Sequence, residues 1–210
     1  MKIYITRHGR TVWNEEKRLQ GRKDSPLTDN GKKNAAALRE HLKDDHFDAI
    51  YTSPIKRAYD TAKLVFPDQT LIKDDRLMEM NFGVCEGMYL DHFDPSLKEV
   101  YSELWEHPER SKGLPGGESY DEIEARVRDF LADITSKDYE KVFVVTHGFC
   151  FTILVSLMLG LKRKDYPQIN RNIVNGCSLT IFDYHDGTFK EELYGDNSFL
   201  PVKTKDVFAR

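Results

Sequence analysis

Short runs of apolar and β-branched residues recur along the chain at Ile3 to Thr6, Asp48 to Thr52, Thr70 to Ile72, Val142 to Thr146 and Leu179 to Tyr184, with helical periodicity between most of them. Strand and helix in alternation predict an α/β sandwich, with the strands in one sheet and the helices over its faces. Thr28 reads as the N-cap of a helix reaching to about Leu42, with alanines and Leu38 on its apolar stripe, and Pro54 marks the first turn of a second helix. Gly116-Gly117 breaks the chain ahead of a long amphipathic helix from about Glu118 to Thr135, whose Ile123, Val127, Phe130, Leu131 and Ile134 form a stripe to cover the sheet. Asp186-Gly187 between Thr180 to Tyr184 and Thr188 to Tyr194 predicts a hairpin, so the sheet is mixed, with an antiparallel edge. Residues 88–117 carry no strand pattern, only a helical patch around Leu97 to Trp105 set among prolines, and read as an inserted helical lid within a single domain spanning 1–210. The last dozen residues read as a polar, loosely held tail.

With 40% hydrophobic and 31% charged residues, the chain has material for a large core and the make-up of a globular protein. A formal net charge of −4 gives no footprint for nucleic acid. The most apolar run, Phe149 to Leu161, falls short of the roughly 20 residues that span a bilayer and reads as a buried helix, so no membrane partner is expected. Cys85, Cys150 and Cys177 are odd in number and far apart, and no signal-peptide pattern precedes Lys2, which together predict a reducing, cytoplasmic setting. Oligomeric state is not legible, which leaves a homodimer open.

Two strands end alike, in Thr6-Arg7-His8-Gly9 and Thr146-His147-Gly148. Ligands of open α/β sheets bind beyond the carboxyl ends of the strands, so if these two are parallel neighbours both imidazoles face one crevice. A third strand ends at Tyr51-Thr52-Ser53-Pro54, with Arg57 one helical turn further, at the same rim. Guanidinium forks and a helix N-terminus suit a dianionic phosphoryl group. A neutral imidazole can attack it, and adjacent arginines disfavour the charged ring, whose ordinary pKa is about 6.5. His8 is therefore the candidate nucleophile and His147 a hydrogen-bond donor to the phosphoryl oxygens. The leaving alkoxide needs an acid, for which Glu79 is the candidate and Glu86 its rival.

Together these residues resemble the histidine phosphatase superfamily, the phosphoglycerate mutase-like proteins. The resemblance rests on an ordered set: Arg7-His8-Gly9-Arg10-Thr11-Val12-Trp13-Asn14, Gln20-Gly21, Pro26-Leu27-Thr28, Ser53-Pro54-Ile55-Lys56-Arg57-Ala58, Glu79, Phe82-Gly83, Glu86-Gly87, Gly117-Glu118-Ser119 and Thr146-His147-Gly148. It implies a three-layer α/β/α sandwich with a mixed, mostly parallel sheet, neither metal nor cofactor, and a small phosphorylated metabolite as partner. His8 would accept the phosphoryl group, Arg7, Arg57 and His147 would form its pocket, Glu79 would donate the proton, and Asn14, Gln20, Gly21, Thr11 and Gly148 would contact substrate. Residues 88–117 lack the paired arginines of the sugar-phosphate mutases and end in Leu114-Pro115-Gly116-Gly117-Glu118-Ser119, similar to the phosphatase branch. Cys85 and Phe149 depart from that branch and bear on the pocket wall.

Blander readings stand beside these. A metal pair at the histidines would want three or four protein ligands, with no His-x-His or His-Glu-x-x-His spacing to supply them. Arg57 could be a solvated charge and Glu79 a partner of Arg76 or Lys73, while Tyr89, Phe93, Tyr101 and Trp105 could line a specificity pocket or simply pack. Lys98, Arg110 and Lys112 read as solvated charges. The functional expectation is a metal-independent phosphatase acting through a phosphohistidine on His8; a mutase-type phosphotransferase and a non-catalytic phospho-ligand module are the alternatives.

Overall fold

In the computed structural model, which describes residues 1–170 and 176–203, six strands share one sheet in the order β3-β2-β4-β1-β5-β6. They are β1 (Lys2–Arg7), β2 (Ala49–Thr52), β3 (Ile72–Lys73), β4 (Lys141–Thr146), β5 (Leu179–His185) and β6 (Thr188–Asp196). The first four run parallel, whereas β5 is antiparallel to both β1 and β6. The helices are α1 (Val12–Glu15), α2 (Asp29–His41), α3 (Lys56–Val65), α4 (Pro95–Glu106), α5 (Tyr120–Thr135), α6 (Gly148–Met158) and α7 (Pro167–Asn170).

Alternation along the strands sorts the core into two halves. Ile3, Ile5, Tyr51, Val142 and Val144 pack with α5 and α6, and Tyr4, Ile50, Phe143 and Val145 pack with Ala35 and Leu38 of α2 and Ala58 and Ala62 of α3. The sheet is thus the middle of three layers, and each large side chain buried there contributes roughly 1.5–3 kcal/mol. The stripe read from the sequence of α5 is buried throughout. Helix α6 is apolar on every side and enclosed; no helix among the described residues is long and apolar enough to cross a membrane.

Capping explains where the helices begin. Thr28 Oγ1 accepts from the Gly31 amide, and Ser119 forms a reciprocal capping box with Glu122, so α5 starts at Tyr120 and not at Glu118. Pro54 lies outside α3, which begins at Lys56, because Ser53 Oγ accepts from the Ile55 amide and holds a bend between strand and helix. The third strand is shorter than the pattern implied, Ile72–Lys73, since only Tyr51 and Thr52 extend far enough to pair with it. Part of the expected loose tail is anchored: Asn34 exchanges two hydrogen bonds with the Val202 backbone and Phe199 stacks on His41 at 4.1 Å. The rest of that tail, from 204, lies outside the described residues. Within 88–117, Phe93, Tyr101, Leu104 and Leu114 sink into the core shared with α5 and α6, and the Tyr120 hydroxyl donates to the Leu104 carbonyl at 2.7 Å, fixing α4 against α5.

Candidate active site

Register brings the two histidines together. Arg7 lies opposite Thr146 in the parallel β1–β4 ladder, and the His8 amide extends it by donating to the Thr146 carbonyl at 2.9 Å. Both chains leave the sheet at one level, and the imidazole centroids stand 5.2 Å apart. The Ser53 amide donates to the Val145 carbonyl, so the end of β2 reaches the same rim, and α3 sets Arg57 beside His8. Arg57 is no solvated charge: it is 1% exposed. Its Nη2 donates to the Gly21 carbonyl at 2.6 Å, Nη1 to the Lys23 carbonyl at 2.7 Å, and Nε to His8 Nε2 at 3.2 Å.

These bonds define the state of His8. A guanidinium N–H can only donate, so Nε2 carries the lone pair and Nδ1 carries the proton, given to the Gly9 carbonyl at 2.8 Å. Burial, and after it the charges of Arg57 and Arg7, hold the imidazole's pKa well below 6.5. Arg7 is itself pushed down to about 10 by burial, against the opposing pull of Glu79, and so remains cationic at neutral pH. The Gly9 amide donates to Thr61 Oγ1, whose hydroxyl donates to the Arg57 carbonyl, tying the loop after β1 to α3.

His147 is fully buried and likewise held well below 6.5, chiefly by burial and then by Arg57. Its Nε2 lies 2.7 Å from Ser53 Oγ, and its buried Nδ1 has no partner among the described residues. Glu79 sits at the N-terminus of α6, where Oε1 accepts from the Met80 and Cys150 amides and Oε2 from the Phe149 amide. The alternative pairings for Glu79 are not formed: Arg76 is spent on Asp74, Asp129 and Asp133, and Lys73 covers the Tyr59 ring.

The other predicted residues divide into wall and scaffold. Asn14, Gln20, Gly21 and Gly148 line a pocket together with Arg7, His8, Arg57 and Glu79. Thr11 does not line it; it caps α1, and its hydroxyl bonds Asn14 Oδ1 and Gln20 Oε1, which turns Asn14 so that Nδ2 is buried without a partner among the described residues. His147 is not among the lining residues but stands in ring contact with His8. Glu86, the rival acid, is a scaffold too, for its carboxylate accepts from the Arg22, Lys23 and Phe82 amides. Gly21 is held at φ +57° with Glu86 packed where a Cβ would project, so no other residue fits there without displacing that carboxylate.

Ser53 and Asp24 acquire roles that spacing alone did not reveal: the first through His147, the second by accepting from the Arg57 amide at 3.0 Å. Strand-end polarity at Ser53 was the available signal, whereas Asp24 lies 33 residues from its partner in a loop without pattern. The remaining wall is apolar, from Leu19, Phe82, Trp105 and Phe149. Of the four lid aromatics only Trp105 reaches the cavity. Phe93 and Tyr101 pack in the core, and Tyr89 lies over Arg18. Cys85 is buried in the core away from the lining, while Phe149 does form the wall. Lys98, Arg110 and Lys112 are exposed, as read.

The family model of the histidine phosphatase superfamily (branch 1) matches residues 3–197. The chain belongs to that superfamily. Among its relatives, "Putative phosphoserine phosphatase 2" of Hydrogenobacter thermophilus is 37% identical over 172 residues, covering 80% of this chain and 84% of its own. "Probable phosphoglycerate mutase GpmB" of Yersinia pestis is 28% identical over 218 residues, covering the whole of both. The solved structure of Bacillus stearothermophilus YhfR superposes with a TM-score of 0.88 at 30% identity, covering 95% of this chain and 98% of that one. The superfamily's fold, a mixed and mostly parallel sheet between helical layers, is the fold found here.

Proposed function

We propose that this member of the superfamily hydrolyses small phosphate monoesters through a phosphohistidine on His8, without a metal, and that 1–210 form one domain in which 88–117 close over the substrate. The observation that carries the proposal is the neutral His8 whose Nε2 lone pair faces the buried Arg57 guanidinium. In the first step the Nε2 pair attacks phosphorus, the bond from phosphorus to the ester oxygen breaks, and the departing oxygen takes a proton from Glu79. Arg57 Nε–H, freed from Nε2, turns to a phosphoryl oxygen beside Arg7, Asn14 Nδ2 and the His147 ring. Cations and dipoles placed in advance stabilise the charge on the transferring group. In the second step water attacks the phosphohistidine and gives a proton to Glu79, while Nε2 leaves with its electron pair, releasing inorganic phosphate and restoring the enzyme.

Glu79 Oε1 accepts two amides and Oε2 one, so Oε2 is the oxygen with capacity to exchange a proton with substrate. Glu86 serves the site as a clamp on its loop. The proposal is tested by following p-nitrophenyl phosphate in excess chelator: phosphate release should persist and should be abolished in His8→Ala. Loss of turnover on chelation, restored by adding a metal, would overturn the metal-free mechanism. Interconversion of 2- and 3-phosphoglycerate faster than phosphate release would make it a mutase instead, the reading that the Yersinia relative's name favours.

A further inference from the structure

The cavity is lined by two unlike sets of side chains. Arg7, His8, Asn14, Arg57 and Glu79 are polar or charged, as is Gln20, and the proposed chemistry uses the first five. The apolar set is Leu19, Phe82, Trp105 and Phe149. The three rings are interlocked edge to face, with Phe82 and Phe149 centroids 6.0 Å apart at 86° and Trp105 and Phe149 4.9 Å apart at 71°, the geometry that aromatic quadrupoles favour. This wall is fixed in place. Phe149 is rooted in α6 against Tyr120, and Trp105 is carried by α4, which the hydrogen bond from Tyr120 to the Leu104 carbonyl pins to α5.

Among the described residues, the charged side chains lining the cavity are Arg7, Arg57 and Glu79. Arg57 already bonds two carbonyls and His8, and Glu79 three amides. A leaving group that bears a carboxylate, an ammonium or a second phosphate would meet apolar rings where it needs a counter-charge, and burying such a group unpaired is costly. A flat or branched apolar alcohol would instead replace water against those rings.

We infer that this chain acts on phosphate monoesters of uncharged, apolar or aromatic alcohols, chosen by the Leu19, Phe82, Trp105 and Phe149 wall, and discriminates against phosphoserine and phosphoglycerate, which the names of its relatives bring forward. The inference rests on the proposed phosphatase reading, and the test separates the two. The kcat/KM of the full-length protein is measured on 2-naphthyl phosphate, phenyl phosphate, phosphoserine and 3-phosphoglycerate. In parallel, phenylphosphonate and phosphonoacetate, which cannot be hydrolysed, are titrated for binding. The aryl esters should exceed both charged esters at least tenfold, and phenylphosphonate should bind more tightly than phosphonoacetate. Trp105→Ala should lower the ratio of kcat/KM for 2-naphthyl phosphate over ethyl phosphate by about 10-fold or more, the scale on which pocket contacts discriminate. Turnover of phosphoserine or 3-phosphoglycerate equal to or better than that of the aryl esters would overturn the inference, whatever the variant does. If no ester turns over yet phenylphosphonate is still preferred, the phosphatase reading falls and the selectivity of the wall stands. If neither turnover nor preference is seen, both fall.

Discussion

Burying two neutral imidazoles side by side couples the fold to pH in a direction that can be measured. His8 and His147 both have folded pKa values well below 6.5, because burial and the arginine charges oppose protonation, whereas in the unfolded chain each titrates near its ordinary value. Below about pH 6.5 the unfolded state therefore binds protons that the folded state refuses, and stability falls as pH falls; above that pH the contribution is fully present. Between pH 7.5 and 5.5 each imidazole that stays neutral in the fold costs the protein on the order of 1 kcal/mol of stability, and the pair about twice that. Carboxylates titrate over part of the same range, and a comparison with the double variant His8→Gln/His147→Gln cancels their share. Urea unfolding of both proteins at the two pH values gives the quantity directly. Wild type should lose more than the double variant, by roughly 2 to 3 kcal/mol, and each single variant should sit about midway. Equal pH dependence of wild type and double variant, or a wild type that gains stability on acidification, would refute the neutral buried pair.

Other consequences can be checked alongside. Glu79→Gln should cut kcat for alkyl phosphates by about 10² to 10⁴ and that for p-nitrophenyl phosphate far less, since nitrophenolate hardly needs a proton; equal losses in steady-state assays would count against Glu79 as the acid. Ser53→Ala removes the bond to His147 Nε2, worth about 0.5–1.5 kcal/mol, and should weaken vanadate binding by a few-fold to about tenfold, with recovery in Ser53→Thr. Glu86→Ala leaves the Arg22, Lys23 and Phe82 amides without their acceptor and should lower unfolding stability by at least 2 kcal/mol or so, while the ratio of alkyl to nitrophenyl turnover stays that of wild type. The chemical step itself should lose no rate to His8 protonation until the pH is well below 6.5, and a pH profile of kcat/KM on p-nitrophenyl phosphate will show whether its acid limb lies there.

Much of this site was legible in the chain because its parts sit at strand ends, where local pattern and topology coincide. The repeated Thr-Arg-His-Gly and Thr-His-Gly endings needed only one further fact, the parallel pairing of β1 with β4, to become a shared crevice. Arg57 followed from its distance to the end of β2. What local pattern could not supply was the set of long-range contacts that give each side chain its state. Nothing in the spacing distinguishes Glu86 as a clamp on residues more than sixty positions away, or Ser53 as the partner of a histidine 94 positions on. The lid aromatics were ambiguous for the same reason: Phe93, Tyr101 and Trp105 share one composition signal, and only the packing of α4 decides that Trp105 alone meets the cavity. Helix starts moved by two residues at Pro54 and Glu118 because a serine hydroxyl and a capping box settled them.

The proposed chemistry requires covalent transfer to one nitrogen. Rapid acid-free quenching of the Glu79→Gln variant with phosphate-labelled p-nitrophenyl phosphate, followed by peptide mapping, should find acid-labile label on His8 at Nε2, with neither label nor turnover in His8→Asn. Label on another residue, or hydrolysis that persists in His8→Asn, would contradict it.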